Sequence, residues 1–396
     1  MGARRGGRAW QASFLVLGAL AAAAWTIVAA SAFADRRLLR PIRVVREDGS
    51  EKPVTAVVPA RDEERTIARW VEDARRQTVR RLRVVIVDDD SRDRTSAVAR
   101  QAAAKDRRVA VTRAGSMPVG WIGKPWAAHV GARDAPSGWL LFSDADVRME
   151  PAAVSSALAA ARRMGADALS LTTTLVCDSF WERQIMPAVA GIIFSAIPAW
   201  AIRSSRLPTA LLAGGFMLVR TDAYRTVGGH ASVRSSIAED RDLAEQLKAF
   251  GYRVRLANGS ALVRVRMYRG LREMWVGWRK NFYEGVRRSP AGALLSVAGL
   301  LAMLVLPLPT LVVLGLKRLA RPLDRLEKML VTVNGASMLA TVLVRLLRDP
   351  AIGVRTDAIS IACTPLAGLF AASVMAASAW RVISGRGQEW KGRLIR

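Results

Sequence analysis

Acidic residues stand directly after short apolar segments at several points of the chain. Asp144 and Asp146 are separated by one residue, so both can reach a single divalent cation. Oxygen ligands of this kind suit a hard ion such as Mg²⁺ or Mn²⁺, which can also bind the oxygens of a diphosphate. A bound cation would stabilise negative charge on a departing phosphate group. The same spacing is also found in solvated turns, so the pair alone leaves both interpretations open.

A second acidic cluster, three adjacent aspartates beginning at Asp88, follows the apolar run Arg83–Val87. These charges are costly at a strand end unless cations or hydrogen-bond donors meet them. We expect Asp88 and Asp89 to face a ligand, where an aspartate can accept a hydrogen bond from the imide N–H of a base such as uracil. We expect Ser91 or Asp93 to cap the helix that follows.

A third acidic group, Glu239 and Asp240, precedes a helix predicted over Leu243–Phe250. Acidic residues are favoured at a helix start because they complement the helix dipole. A carboxylate there can also act as a general base, if it lies within hydrogen-bond reach of a hydroxyl group. Both interpretations fit the spacing.

The elements that would position these residues alternate between short apolar runs and helical stretches, from Pro53 to about Pro290. This alternation is typical of a parallel sheet with crossover helices. Strands are predicted at Val54–Val58, Arg83–Val87, Val109–Thr112, Trp139–Ser143 and Ala168–Thr172, and helices at Glu63–Gln77, Arg94–Ala104 and Pro151–Met164. Ligands bind at the carboxyl ends of strands in such sheets, where the acidic clusters stand.

An uncharged and mostly apolar run, Ala12–Ala34, lies near the start of the chain. It is long enough to cross roughly 30 Å of hydrocarbon. Five arginines between Arg36 and Arg46 follow it, which favours that side of the membrane as cytoplasmic. A cleaved signal peptide is the alternative, because Ser31–Ala34 is similar to a cleavage site. The length of the run favours a retained anchor.

Apolar segments return in the C-terminal third, at Ala291–Leu316, Met329–Val344 and Ala358–Trp380. If the first of these crosses the membrane fully, the basic stretch Lys317–Lys328 lies on the outer side, against the positive-inside tendency. A re-entrant hairpin broken at Pro307 and Pro309 would keep that stretch inside. The sequence is compatible with both arrangements.

The formal net charge is +27, and only eight of the 60 basic residues are lysines. The arginines are spread along the whole chain, so we interpret the charge as attraction to anionic lipid headgroups and phosphorylated substrates rather than nucleic acid. Cys177 and Cys363 are far apart, as are His129 and His230. This spacing argues against a disulfide framework, a zinc site and a Ser-His-Asp triad, and it fits a reducing compartment.

Taken in order, these motifs resemble those of family 2 glycosyltransferases with the GT-A fold. The resemblance extends from Val54 to Gly285 and rests on four segments: Val57–Glu64, Val85–Thr95, Ser143–Asp146 and Glu239–Asp240. Asp90 departs from the family pattern, which usually has glycine there. Four motifs in register are more specific than any one of them.

The resemblance implies roles for individual residues. The nucleotide donor would be held by Pro59, Ala60, Arg61, Glu63, Asp88 and Asp89, the metal and donor phosphates by Asp144 and Asp146, and Asp240, beside Glu239, would be the catalytic base of an inverting transfer. The expected donor is a nucleotide-diphosphate sugar, with UDP as the nucleotide. The expected cofactor is Mg²⁺ or Mn²⁺.

The segment Gly120–Ala128 looks like a stretch of hopanoid- and carotenoid-associated glycosyltransferases. There Lys124 would pair with donor phosphate as a compact charge, while a loop stabilised by its tryptophans is the structural alternative. Leu212–Arg220 also looks like the family, where a turn of small residues lies beside donor and acceptor.

Two segments indicate a lipid acceptor of hopanoid, carotenoid or polyprenyl type. Ile185–Ile202 is apolar throughout and is either a core helix or an interfacial helix with Trp200 near the headgroups. Met274–Tyr283 lies where similar enzymes have an amphipathic interface helix. The family's Gln-x-x-Arg-Trp motif of polysaccharide synthases is missing here, which favours transfer of a single sugar. A nucleotidyltransferase and an inactive membrane scaffold are the competing functions.

The sequence thus predicts an α/β protein of the GT-A type, with a Rossmann-like mixed sheet between N-terminal and C-terminal transmembrane helices. The expected parts are an anchor at 1–35, a basic linker at 36–52, the catalytic domain at 53–270, an interfacial segment at 271–290, and transmembrane helices and a tail at 291–396. We expect a multi-pass protein of the cell (inner) membrane with a cytoplasmic catalytic domain. Its partners would be the donor, the lipid and the membrane, in an oligomeric state that the sequence leaves open.

Overall fold

The computed structural model describes residues 2–46, 52–104 and 106–395. The helices are α1 (Gly2–Leu38), α2 (Ile67–Arg75), α3 (Thr95–Ala103), α4 (Gly123–Ala132), α5 (Ala153–Met164), α6 (Phe180–Ala196), α7 (Ala199–Arg203), α8 (Thr221–Thr226), α9 (Glu239–Ala249), α10 (Leu271–Gly285), α11 (Pro290–Leu300), α12 (Pro307–Ala320), α13 (Arg325–Arg348), α14 (Ala358–Ala362) and α15 (Thr364–Ile383). The strands are β1 (Val54–Ala60), β2 (Leu82–Asp88), β3 (Val109–Arg113), β4 (Trp139–Phe142), β5 (Val147–Met149), β6 (Ala168–Thr172), β7 (Thr174–Leu175), β8 (Met217–Arg220), β9 (Val254–Asn258), β10 (Val263–Val265), β11 (Gln388–Trp390) and β12 (Arg393–Ile395).

The central sheet has seven strands in the order β3-β2-β1-β4-β8-β6-β9. The strands β1 to β4 run parallel to one another, while β8 is antiparallel to both of its neighbours. The predicted mixed sheet is therefore confirmed. Because β1, β2 and β4 end at the same edge, the loops that carry the acidic clusters meet there.

The five predicted strands are all present, with ends that differ by at most a few residues. The first helix is shorter than predicted and begins at Ile67, because the residues before it form a turn closed by the Thr66 N–H on the Glu63 carbonyl. Strand β5 and the strands from β7 to β12 were not predicted. Five of these seven strands have only two or three residues, too few to show an alternating pattern. The loop considered as an alternative for Gly120–Ala128 is wrong for most of that segment, because helix α4 begins at Gly123.

Trp70 connects the core to the loop after β4. Its side chain is fully buried between α2 and the sheet. Its indole N–H donates to the Ser143 hydroxyl at 3.1 Å, and that hydroxyl donates to the Gly215 carbonyl at 3.0 Å. A buried polar network of this kind fixes one arrangement of its members. The backbone next to Asp144 is therefore held from inside the core.

Helices with exposed apolar side chains surround one end of the catalytic domain. Of the described helices, α13 and α15 are long and apolar enough to cross a membrane, and α10 with the 290–305 segment, bent by 120°, counts as a third if it is one span. The exposed apolar side chains include Leu20, Ile27, Leu294, Leu295, Leu319 and Leu339. A surface this apolar is typical of contact with lipid.

The predicted membrane segments map onto these helices. Ala291–Leu316 is divided into α11, a π-helical turn at Leu301–Val305 and α12, and Ala358–Trp380 is divided at Cys363. The run Ala12–Ala34 lies within α1, but side chains are described only from Leu20 onward. The N-terminal anchor therefore stays a prediction.

A buried ion pair fastens the terminal helices to the catalytic domain. Arg348 at the end of α13 donates to Asp35 near the end of α1 at 3.0 Å, and both side chains are fully buried. Asp35 also accepts from the Ala199 N–H at 2.8 Å, while Arg348 donates to the Ser195 hydroxyl. Removing one partner of such a pair costs about 3–5 kcal/mol, because the other charge stays buried. The pair therefore fixes α1 and α13 against α6 and α7.

Asp90 has a left-handed backbone conformation, with φ of 57°. This conformation suits glycine, which explains why glycine is usual at this position in the pattern, whereas Asp90 adopts it at a steric cost. We expect Asp90→Gly to stabilise the protein by about 0.5–1 kcal/mol, because the steric cost of the side chain outweighs the added freedom of the unfolded chain. In a domain of this size the apparent Tm would rise by about 2 °C.

Thermal unfolding in detergent checks this prediction, with Asp90→Asn as the matched control that removes the charge alone. The Asp90 carboxylate is 86% exposed and lies 3.8 Å from the Arg61 guanidinium and 3.5 Å from that of Arg393. A lower Tm in the glycine variant would show that these ion pairs outweigh the backbone strain.

Candidate active site

The loops after β1 and β2 are joined by hydrogen bonds. Arg61 donates from one guanidinium nitrogen to the carbonyl oxygens of Asp89 at 2.6 Å and Asp90 at 2.9 Å. The Glu63 N–H donates to the Thr95 hydroxyl at 2.6 Å. Pro59 and Ala60 are the last residues of β1. The structure thus brings together the two predicted nucleotide-binding segments, with Arg61 as a nearly buried link between them.

The predicted capping of α3 is wrong, because its N-cap residue is Arg94 and no side chain caps it. Asp93 accepts instead from the Glu64 N–H at 3.1 Å and the Thr95 N–H at 2.9 Å. Burial opposes the charge of Asp93, but these hydrogen bonds and that of the Thr95 hydroxyl hold its pKa below the usual value. Ser91 accepts from the backbone of the β1 loop. Both side chains join the two loops and leave the helix uncapped.

Asp88 and Asp89 are both buried at the end of β2. The Asp88 carboxylate accepts from the Ser91 N–H at 3.2 Å. Asp89 receives the guanidinium of Arg393 from the C-terminal hairpin, at 2.8 and 2.9 Å from its two oxygens. Gly123 lies so close that a Cβ atom there would be 2.1 Å from Asp89. The end of β2 is therefore enclosed by α4 and by a segment from the far end of the chain.

Lys124 connects two of the predicted acidic motifs. Its ammonium lies 2.8 Å from Asp144 and 2.8 Å from Glu239. Burial opposes the charge on Lys124, but the two carboxylates outweigh it and raise the pKa of Lys124 well above its ordinary value. Glu239 is almost fully buried. It therefore holds Lys124, and its predicted catalytic role beside Asp240 stays a prediction.

Asp146 is the predicted metal ligand whose charge is least compensated. Burial, followed by the neighbouring Asp144, raises the pKa of Asp146 to about 7. No ion pair of its carboxylate is formed with the described residues. A carboxylate without an ion pair, beside the second carboxylate of Asp144, fits a divalent cation with oxygen ligands.

The protein supplies only part of a metal coordination shell. Within the described part of the chain, no group of three or more His, Cys, Asp or Glu side chains is placed to hold a metal ion. Mg²⁺ is commonly bound by one or two carboxylates together with substrate phosphates and water. The residues present therefore fit a cation that is held jointly by Asp144, Asp146 and the diphosphate of a donor.

Asp240 lies in the first turn of α9 and points toward the same centre. Its carboxylate accepts from the Gly214 N–H at 3.2 Å and the Arg241 N–H at 2.7 Å. Burial, followed by the charge of Glu239, raises the pKa of Asp240 to about 6. A pKa in this range suits a general base that works near neutral pH.

Gly214 shows how closely the motifs converge. A Cβ atom there would lie 3.2 Å from the Lys124 ammonium, 3.3 Å from the Asp240 carboxylate and 3.4 Å from the Asp144 carboxylate. The three charged groups therefore surround one small residue in the turn before β8. The structure thus brings together charged groups from three separate parts of the chain.

A cleft of about 210 Å³ opens beside Asp146. Five arginines line it together with Asp146: Arg69, Arg148, Arg264, Arg266 and Arg269. Three of them are paired: Arg148 with Asp73 at 2.6 Å, Arg264 with Glu150 at 3.7 Å, and Arg266 with both Glu182 at 3.1 Å and Asp178, which also lines the cleft. The excess of positive charge suits an anionic group of a substrate.

Sequence reasoning assigned no role to these arginines, nor to Lys391 and Arg393. The arginines of the cleft come from α2, β5 and the segment around β10, which are far apart in the chain. In a sequence with 60 basic residues, no local signal distinguishes these from the others. Only the tertiary structure shows which of the basic residues line the cleft.

The segments predicted to meet the lipid pack partly inside the protein. Within α6, Ile185 and Val189 are buried, whereas Trp200 in α7 is 43% exposed and donates to the Ser31 hydroxyl at 3.1 Å. The apolar face of α10, with Trp278 and Phe282, is buried against α15 and α6. Ile185–Ile202 is thus buried at both ends, apart from Trp200, and mostly half-buried in its middle.

Comparison with known proteins indicates the family that the central part of the chain is similar to. The model of the family described as "Glycosyl transferase family 2" matches residues 55–228. The 4,4'-diaponeurosporenoate glycosyltransferase of Staphylococcus haemolyticus is 28% identical over 63% of this chain and 66% of its own length. The enzyme of the same name from Staphylococcus aureus (strain MRSA252) is 26% identical over 60% of this chain and 62% of its own length. The chain thus spans just under two thirds of the length of these relatives.

A solved structure shares the fold over nearly the whole chain. It is the mannosyltransferase PcManGT from Pyrobaculum calidifontis in complex with GDP-Man and Mn²⁺, with a TM-score of 0.53 and 14% identity. The match covers 95% of this chain and 99% of that one. Residues 55–228 thus match the family 2 glycosyltransferases, and the catalytic domain has the GT-A fold.

Proposed function

We propose that the protein transfers one sugar from a nucleotide-diphosphate sugar, with UDP as the expected nucleotide, to a hydroxyl or phosphate group of a membrane lipid, with inversion at the sugar carbon. The observation that carries this proposal is the convergence of Lys124, Asp144 and Asp240 around Gly214. This convergence places groups that can bind phosphate and a metal ion next to a group that can remove a proton.

The residues divide the chemistry between them. With a hydroxyl acceptor, Asp240 takes its proton while the acceptor oxygen bonds to the sugar carbon and the bond from that carbon to the diphosphate breaks. Lys124, held between Asp144 and Glu239, offers positive charge to the phosphates. A Mg²⁺ or Mn²⁺ ion held by Asp144 and Asp146 would stabilise charge on the departing nucleoside diphosphate. A phosphate acceptor that is already ionised would need no base.

A lipid acceptor is supported by the apolar surface of the terminal helices and by the relatives, which are named for glycosylation of a carotenoid acid. We propose a hopanoid, carotenoid or polyprenyl type of acceptor and a multi-pass protein of the cell membrane with its catalytic domain in the cytoplasm. The five arginines beside Asp146 would attract the phosphates of the donor or an anionic acceptor group.

The proposal is tested with the full chain purified in lipid nanodiscs. Radiolabelled UDP-sugars and GDP-sugars are supplied with Mn²⁺, Mg²⁺ or EDTA, and label is followed into the organic phase after extraction. We expect metal-dependent transfer from one donor, with release of a nucleoside diphosphate. Release of pyrophosphate would indicate a nucleotidyltransferase instead, and a protein that binds no nucleotide sugar would be a scaffold.

The pKa of about 6 at Asp240 predicts the pH dependence of transfer to a hydroxyl acceptor. The base is active when deprotonated, so kcat/KM should be constant above that pKa and fall about tenfold per pH unit below it. The measurement uses saturating Mn²⁺, because protons compete with the cation at Asp146. Nucleotide affinity over the same range serves as the control. A profile that stays flat down to pH 5 would remove Asp240 from the role of base.

A further inference from the structure

The chain ends in a β-hairpin that is anchored on the last apolar helix. The side chain of Gln388 donates to the Ser378 carbonyl in α15 at 3.2 Å, and Arg381 donates to the Gly387 carbonyl at 2.9 Å. Lys391 and Gly392 form the turn between β11 and β12, with φ of 45° and 72°. Positive φ at both central residues is the geometry that a tight hairpin turn requires. The turn is therefore held in a defined place at the tip of a supported hairpin.

The tip of this hairpin contacts the residues that were assigned to the nucleotide. Lys391 donates to the Glu63 carboxylate at 2.7 Å and to the Arg61 carbonyl at 2.6 Å. Arg393 donates to both oxygens of Asp89, which lies 304 residues earlier in the chain. Both basic side chains are about three-quarters covered. These contacts enclose the site from a side that the family domain at 55–228 does not supply.

The charges of the two loops explain why such cations are needed. Glu63 and the aspartates from Asp88 to Asp90 would repel the phosphates of a nucleoside diphosphate, unless positive groups offset them. Lys391 neutralises Glu63, while Arg393 neutralises Asp89 and also lies 3.5 Å from Asp90. The loop that Lys391 contacts follows β1, and it lies beside the loop with Asp144 and Asp146 because β1 and β4 are neighbouring parallel strands. Lys391 is thus near the groups expected to meet the donor phosphates.

The pair formed by Asp89 and Arg393 also has the chemistry of a base-recognition surface. A carboxylate with four lone-pair sites keeps acceptor capacity after it binds a guanidinium, and the guanidinium has five N–H donors. Acceptor and donor therefore stand side by side. A nucleobase edge that carries both an N–H group and a carbonyl oxygen is complementary to such a pair.

We propose that residues 388–393 form a cationic strap that completes the nucleotide site, with Lys391 serving the diphosphate and Arg393, together with Asp89, serving the base. The inference rests on the proposed function, because it takes the ligand to be the nucleoside diphosphate of the donor. It adds binding residues from outside the family domain and connects the site to α15, one of the apolar helices.

Nucleotide affinity of the full chain tests the strap. Binding of UDP and of GDP with Mn²⁺ is measured by calorimetry for the wild type, Lys391→Ala, Arg393→Ala and Arg386→Ala. Arg386 is exposed in the same tail and loses the same charge, so it is the matched control. We expect each strap variant to bind the preferred nucleotide about tenfold more weakly, as for loss of one charge-assisted hydrogen bond, and the control to bind like the wild type.

Further variants distinguish the proposed role of the strap from a general loss of charge or of stability. Lys391→Arg keeps the charge and should bind within about threefold of the wild type, a difference well below that of a lost charged hydrogen bond. Arg393→Ala should weaken UDP and GDP unequally, because it removes a contact with the base. Thermal unfolding of each variant confirms that it is folded.

Two results would overturn the proposal while leaving the proposed function in place. Unchanged nucleotide affinity in both Lys391→Ala and Arg393→Ala would show that the contacts of the strap do not contribute to binding. Tighter binding in these variants would show that the hairpin blocks the site rather than completing it. A wild-type protein that binds no nucleotide at all would instead overturn the proposed function, and the strap with it.

Discussion

Replacement of Asp146 by alanine is expected to lower kcat/KM for sugar transfer by about a thousandfold or more, because the variant loses one of the two carboxylates that hold the metal and diphosphate. No other described side chain of the site is placed to replace the lost carboxylate. The carboxylate of Asp144 is already 2.8 Å from Lys124, and no described cluster of three metal-binding side chains exists to compensate. The apparent affinity for Mn²⁺ should fall together with the rate.

A Mn²⁺ titration of the transfer rate checks this prediction for the wild type, Asp146→Ala and Asp146→Asn. The asparagine variant keeps the shape and one oxygen ligand but removes the charge, so it should be intermediate in Mn²⁺ affinity. Asp134→Ala is the control, since Asp134 is exposed and outside the site. An Asp146→Ala enzyme with wild-type rate and metal response would exclude Asp146 as a ligand. A wild-type enzyme that keeps its full transfer rate in EDTA would remove the metal from the mechanism.

Replacement of Asp240 by asparagine is expected to lower kcat for a hydroxyl acceptor by about 10²–10⁴-fold, the usual contribution of a general base. Asparagine keeps the shape and can still accept from the Gly214 N–H that Asp240 binds at 3.2 Å. Donor affinity should therefore change little. A loss of kcat without a loss of binding distinguishes a base from a residue that only supports the fold.

Rapid-mixing transfer assays and nucleotide calorimetry provide the two measurements for Asp240→Asn. Asp242→Asn is the matched control, because Asp242 lies in the same first turn of α9 and accepts from the Ser236 hydroxyl at 2.6 Å, away from Gly214. Its kcat should stay within about twofold of the wild type, as for most substitutions outside a site. If both variants lose activity equally, the first turn of α9 matters as structure, and Asp240 has no special role in proton transfer.

The sequence alone determined the catalytic scaffold and the order of its motifs. Runs such as Val84–Val87 are apolar at every position, and this pattern is local, so it predicts a buried strand without knowledge of the partners. Polar residues directly after such strands must lie at the carboxyl edge of the sheet. For this reason the positions of Asp88, Asp144 and the loop at Arg61 follow from the sequence together with the rule for parallel sheets.

The tertiary structure alone decided which charges meet. Lys124 pairs with Glu239, Arg348 with Asp35, and Arg393 with Asp89, and the last two pairs join residues more than 300 positions apart. In a chain with 60 basic and 33 acidic residues, composition and spacing permit a great many such pairs. The choice among them depends on the path of the chain through the terminal helices, since ion pairing acts only over short distances in space and carries no sequence period. The sequence thus specified the edge of the sheet where the site lies, and the packing of distant segments specified the charges that complete it.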